Sequence, residues 1–96
     1  FIMGHMGFVD HYWPTAIQSA EKSSNIVLET PHVSFIGVME NAIKTVGPER
    51  IIFGSDSPMS RMDVELRKVR SIGLDPKHEE MILGGNTRRL LRIEEV

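Results

Sequence analysis

His5, Glu29 and Asp56 each close a short apolar run, at Phe1-Ile2-Met3-Gly4-His5, Asn25-Ile26-Val27-Leu28-Glu29 and Ile51-Ile52-Phe53-Gly54-Ser55-Asp56. An imidazole and a carboxylate directed into one opening are the ligand types a catalytic divalent metal uses. Beside such a metal a carboxylate can also orient and deprotonate water. Spacing by itself says little, because a single histidine at a strand end is more often a hydrogen-bonded structural residue. Asp56-Ser57-Pro58 also has the composition of a simple turn. The chemistry depends on which elements carry these residues.

The three runs are rich in β-branched and bulky residues and too short for helices, so they read as strands. None alternates apolar with polar residues, which is the pattern of strands covered on both faces in a parallel sheet. Helical stripes fill the gaps: Trp13, Ala16, Ile17 and Ala20, then Ile36, Met39, Ile43 and Val46, then Met62, Leu66, Val69 and Ile72. Gly47-Pro48 reads as the stop of the second helix and Gly73 as that of the third. Asp75-Pro76 reads as an N-cap with proline in the first turn of a short helix through Leu83. Gly84-Gly85 is expected to break that helix, and Asn86 to cap a last turn carrying Leu90 and Leu91.

The order β-α-β-α-β-α plus a helical appendage implies an α/β fold with a parallel sheet and right-handed crossovers. Three such strands alone leave both sheet edges unpaired. A (β/α)8 barrel takes roughly 30 residues per unit. The 96 residues therefore match three βα units of a TIM-type barrel, a partial barrel read as one unit over 1–96. A chain this short buries only roughly 60–65% of its unfolded surface. In a parallel barrel the site lies where strands end, which is where His5, Glu29-Thr30 and Asp56 fall.

Composition narrows the function classes. Eleven Lys and Arg stand against 13 Asp and Glu, net charge −2, so no basic face suggests nucleic acid. Arg88, Arg89 and Arg92 read as solvated helix residues. With no cysteine there is no disulfide and no thiolate metal site. No apolar run approaches a membrane span and the N-terminus lacks a secretory pattern, so a cytoplasmic setting is expected. Neither G-x-G-x-x-G nor G-x-x-x-x-G-K-[ST] occurs, which argues against a nucleotide-binding module.

The segments Gly4-His5-Met6-Gly7, Asn25 to Thr30, Gly47-Pro48-Glu49-Arg50-Ile51-Ile52-Phe53-Gly54-Ser55-Asp56-Ser57-Pro58 and Gly85-Asn86-Thr87-Arg88-Arg89-Leu90-Leu91 together resemble the amidohydrolase-related superfamily of metal-dependent barrel enzymes. The resemblance covers the whole chain and aligns it with the sixth to eighth barrel strands. It implies that Asp56 binds the metal and takes the proton of the attacking water. It implies that His5 is a metal ligand or contacts the substrate or metal-bound water. The implied cofactor is a divalent metal, with zinc the expected ion. A catalytic zinc takes three protein ligands and a water, and this chain offers two. The strands carrying His5 and Asp56 are also separated by a whole strand, roughly 10 Å, so no preformed site is expected.

Other positions read more plainly. Glu29 either faces the mouth or supports the barrel wall, the second being expected. His11 and His32 read as exposed loop histidines, His78 as surface, and Trp13 as packing, with Tyr12 beside the mouth. Gly4 and Gly54 read as points of close backbone approach. The expected function is that of a metal-dependent hydrolase acting on a small amide, ester or lactone. A non-oxidative decarboxylase of the same superfamily is the alternative. The non-catalytic alternative is an inactive fragment that self-associates. Expected partners are a small-molecule substrate and either copies of the chain or the remainder of a barrel.

Overall fold

The computed structural model describes residues 1–7, 13–31, 33 and 35–92. Three strands, β1 (Ile2–Met3), β2 (Val27–Glu29) and β3 (Ile51–Ile52), form a parallel sheet in the order β1-β2-β3. Each strand is followed by a helix: α1 (Trp13–Lys22), α2 (Ile36–Val46) and α3 (Met62–Ser71). The parallel βα pattern expected from the continuous apolar runs is present.

Register decides what each face of the sheet does. Met3 pairs with Leu28 and Leu28 with Ile51, so these three share one face. That face packs into one apolar cluster with Trp13, Ala16, Ile17 and Ala20 of α1 and Met39, Ala42 and Val46 of α2. Ile2, Val27, Glu29 and Ile52 lie on the opposite face, which in a barrel is the interior. The stripe on α1 is the one the periodicity predicts. On α3 the buried residues are Glu65 and Val69, while Met62 is exposed, so the expected apolar stripe is displaced toward a carboxylate.

Helix stops follow local chemistry. Gly47 has φ 91°, a conformation that suits glycine, and its N–H donates to Ile43 O at 2.9 Å, closing α2 before Pro48. Asp75 caps α4 (Pro76–Glu80): its carboxylate accepts from the N–H groups of Lys77 and His78, and these bonds hold its pKa below the ordinary 3.8.

The appendage corrects two expectations. Gly84-Gly85 does not break the helix; residues Met81–Gly85 form one wide π turn leading into α5 (Asn86–Leu91). Asn86 is not an N-cap but a fully buried side chain. Its Nδ2 donates to Pro48 O at 2.6 Å and Ile51 O at 2.7 Å. The π turn sends the Asn86 N–H to Met81 O. Ile82 O, the usual α-helical acceptor, instead receives the Phe53 N–H at 2.9 Å.

Those bonds also correct the expectation of two open edges. Ile52 O takes the Thr30 N–H on the β2 side, so Ile51 O and Phe53 N face the other way. Asn86 and Ile82 satisfy that edge. On the β1 side Phe1 and Ile2 remain exposed. Among the described residues no helix is long and apolar enough to cross a membrane.

Candidate functional site

His5 leaves β1 in a tight turn, Gly4–Gly7, where His5 (φ 53°, ψ 26°) and Met6 (φ 50°, ψ 40°) are both left-handed. That conformation costs about 1–2 kcal/mol per non-glycine residue. The buried side chain of Met6, seated in the helix-side core, anchors the turn. His5 Nδ1 lies 2.9 Å from the carbonyl oxygen of Pro31, in the turn after β2. A carbonyl only accepts, so Nδ1 carries the hydrogen, which leaves Nε2 as the ring nitrogen able to offer a lone pair. Nε2 is 4.0 Å from Asp56 Oδ2.

Asp56 stands after β3, also left-handed at φ 51°, which aspartate tolerates better than most residues. Its carbonyl accepts the Ser60 N–H at 3.1 Å, so Asp56 is a turn former, as its sequence context suggests. The intervening strand does not keep the two side chains apart, contrary to the separation expected from strand spacing. Both turns fold over the end of β2, and the side chains meet above it with 21% and 39% exposure.

A buried ion pair holds these turns from outside. Glu65, at 3% exposure, sits 2.7 Å from Lys68 Nζ. Ser60 Oγ–H donates to Glu65 Oε1 at 3.1 Å, tying the Asp56 turn to α3. Lys68 Nζ donates to Val33 O at 2.9 Å, tying down the turn that supplies the Pro31 acceptor. No sequence signal marks this pair, since Glu and Lys three apart on a helix are ordinarily a solvated pair. Its burial comes from the packing of α3 over two loops.

The remaining candidates separate cleanly. Trp13 packs edge to face on Phe35, centroids 5.8 Å apart at 82°, and lines an apolar cleft between α1 and α2 that includes neither His5 nor Asp56. His78 lies in α4 on the appendage. His11, Tyr12 and His32 fall outside the described residues. Gly54 is a point of close approach: a Cβ there would stand 2.9 Å from Pro31 Cγ and 3.0 Å from Glu29 Oε2. At Gly4 the same test gives an ordinary contact, 3.4 Å from Glu29 Oε1.

The pair suits a divalent metal in kind: an imidazole nitrogen and a carboxylate oxygen lie 4.0 Å apart. It does not suffice in number, because among the described residues no three His, Cys, Asp or Glu side chains form a cluster able to hold an ion.

Three parallel βα units, with an imidazole and a carboxylate meeting at the strand ends, have the architecture of a segment of a (β/α)8 barrel. The family model described as Amidohydrolase matches residues 1–93, and the chain belongs to that family. No curated protein matches it. Among solved structures it is similar to 5-carboxyvanillate decarboxylase LigW from Sphingomonas paucimobilis, with 21% identity, TM-score 0.73, and coverage of 97% of this chain and 33% of that one. It is similar to 2,6-dihydroxybenzoate decarboxylase complexed with 2,6-dihydroxybenzoate, with 19% identity, TM-score 0.77, and coverage of 98% and 35%. It is also similar to a dihydroxybenzoic acid decarboxylase from Polaromonas with bound manganese and the inhibitor 2-nitroresorcinol, with 18% identity, TM-score 0.75, and coverage of 99% and 34%. These likenesses establish the fold, and the chain spans about a third of the length of those structures.

Proposed function

We propose that this chain supplies the His5–Asp56 part of the metal-dependent site of a non-oxidative decarboxylase acting on a small hydroxylated aromatic acid. The observation that carries the reading is the 4.0 Å approach of His5 Nε2 to Asp56 Oδ2, with the His5 tautomer set by Pro31. The similar solved structures are decarboxylases of such acids, and one holds manganese. They move the balance away from the hydrolase expected from sequence and toward its alternative.

The chemistry needs a proton carrier beside the acid-bearing carbon. Asp56, when protonated, delivers its proton to the ring carbon that bears the carboxylate. The bond from that carbon to the carboxyl carbon then breaks, its electron pair stays with the ring, and carbon dioxide leaves. His5 and Asp56, together with ligands from outside the described residues, would hold a divalent metal, which would supply charge neutralisation for the substrate. His5, fixed at Nδ1, keeps Nε2 turned toward that position. Manganese or zinc suits this mixed nitrogen and oxygen donor set.

The same carboxylate can take a proton from water, so hydrolysis of a small amide, ester or lactone is the second reading. The test is carbon dioxide release from 2,6-dihydroxybenzoate by the natural protein that carries this chain, with and without added manganese or zinc. Metal-dependent release is expected. Hydrolysis of amide or lactone substrates without such release would establish the second reading, and inertness toward both classes would refute the two together. The exposed Phe1 and Ile2 support the reading that the β1 side meets a further barrel segment or another copy.

A further inference from the structure

Glu29 ends the central strand, and its register partner Ile52 places it on the interior face, opposite Leu28 and the helices. Its two carboxylate oxygens point to the two neighbouring strand ends. Oε1 lies 3.4 Å from where a Cβ on Gly4 would stand, and Oε2 lies 3.0 Å from where one on Gly54 would stand. Gly4 directly precedes His5, and Gly54 stands two residues before Asp56. The carboxylate therefore sits on the strand between the two candidate residues, in a gap kept open by the missing side chain at Gly54.

Nothing among the described residues donates to it. Lys68 is engaged by Glu65 and Val33, and Arg50 by carbonyls at the opposite end of the sheet. Glu29 is half-buried and, ionised, can only accept. At that half-buried position the carboxylate keeps acceptor capacity that a donor entering the mouth can use. It does not join His5 and Asp56 in a three-residue metal cluster among the described residues.

We infer that Glu29 is a specificity-determining residue of the same mouth, its carboxylate accepting a hydrogen bond from a hydroxyl group of the substrate. The inference rests on the reading of the substrate as a hydroxylated aromatic acid. By receiving the hydroxyl, Glu29 sets which end of the ring faces His5 and Asp56.

The test is calorimetric binding of 2,6-dihydroxybenzoate and benzoate to the metal-loaded natural protein, as wild type, Glu29→Gln and Glu29→Ala. The expected result is a preference for the dihydroxy acid that falls about ten- to hundred-fold in Glu29→Ala, the size of one charge-assisted hydrogen bond. Benzoate affinity and metal content should stay unchanged, and Glu29→Gln should fall between. An unchanged preference in both variants would overturn the inference while leaving the proposed function standing. Loss of metal on either substitution would overturn it by making Glu29 a ligand. Failure of the wild type to bind either acid would refute the substrate reading and the inference with it.

Discussion

The two ends of this small sheet treat polar side chains in opposite ways. At the end where the strands begin, polar side chains are committed to main-chain groups. Arg50 donates to Ile26 O, Ser23 O and Ala20 O, joining the α1 terminus to the start of β2. Asn86 donates to Pro48 O and Ile51 O, and Arg89 to Glu49 O at 2.8 Å. At the end where the strands finish, His5, Glu29 and Asp56 are partly exposed, and two of the three sit in left-handed backbone. The left-handed turns at that end are held by the Glu65–Lys68 pair, which takes Ser60 Oγ–H on one side and donates to Val33 O on the other. This is the division of labour of a parallel barrel, with stability at the bottom face and chemistry at the top. The most specific sequence stretch runs across both, with Arg50 at one end and Asp56 at the other.

Substitutions at the two ends should separate activity from stability, and the largest effect is expected at the top. In the metal-loaded natural protein, Asp56→Asn should lower turnover by about 10³-fold or more, within the range for a lost acid–base group. Its thermal midpoint should stay near that of the wild type, and retained turnover would dismiss the assigned role. His5→Ala should cost about 10²-fold, and measuring metal content in the same sample separates a ligand from a substrate contact. Breaking the buried pair by Glu65→Leu should destabilise by about 3–5 kcal/mol, because Lys68 is left without its counter-charge. Denaturant unfolding measures this, and a Glu65→Leu, Lys68→Met double variant should recover most of it.

At the opposite end, Arg50→Met leaves carbonyls of Ala20, Ser23 and Ile26 short of a donor and should cost about 2–4 kcal/mol. Turnover per folded molecule should be unchanged, and a catalytic defect at constant stability would break the contrast between the ends. The smallest effect belongs to the Asp75 cap. Its pKa is lowered by bonds from Lys77 and His78, so its contribution is present above the ordinary 3.8 and is lost as pH falls through the lowered value. Comparing the acid limb of the thermal midpoint for wild type and Asp75→Asn tests the sign, with the two converging at low pH.

Much of the architecture was legible because it is periodic. Trp13, Ala16, Ile17 and Ala20 announce α1 by spacing, and the continuous run through Val27 and Leu28 announces a strand covered on both faces. Gly84-Gly85 misled because glycine is read as a breaker, whereas here the pair lies in a wide turn that lets Ile82 O reach β3. Asn86 misled in the same way: it is a frequent cap, but its buried amide serves a sheet edge distant in sequence. Glu65 was invisible because a charged residue within a helical pattern is ordinarily assigned to the solvent side.

The amino-acid sequence alone determined the order of elements, the faces of α1 and α2, the helix stop at Gly47 and the placing of His5 and Asp56 at strand ends. These follow from backbone preference and hydrophobic period, which act over a few residues. Tertiary structure decided that His5 and Asp56 meet across β2, that Pro31 sets the imidazole tautomer, and that Glu29 lies between them in a gap left at Gly54. Each depends on distances between residues more than 20 positions apart, set by how the turns close over the sheet, and no local rule carries that information.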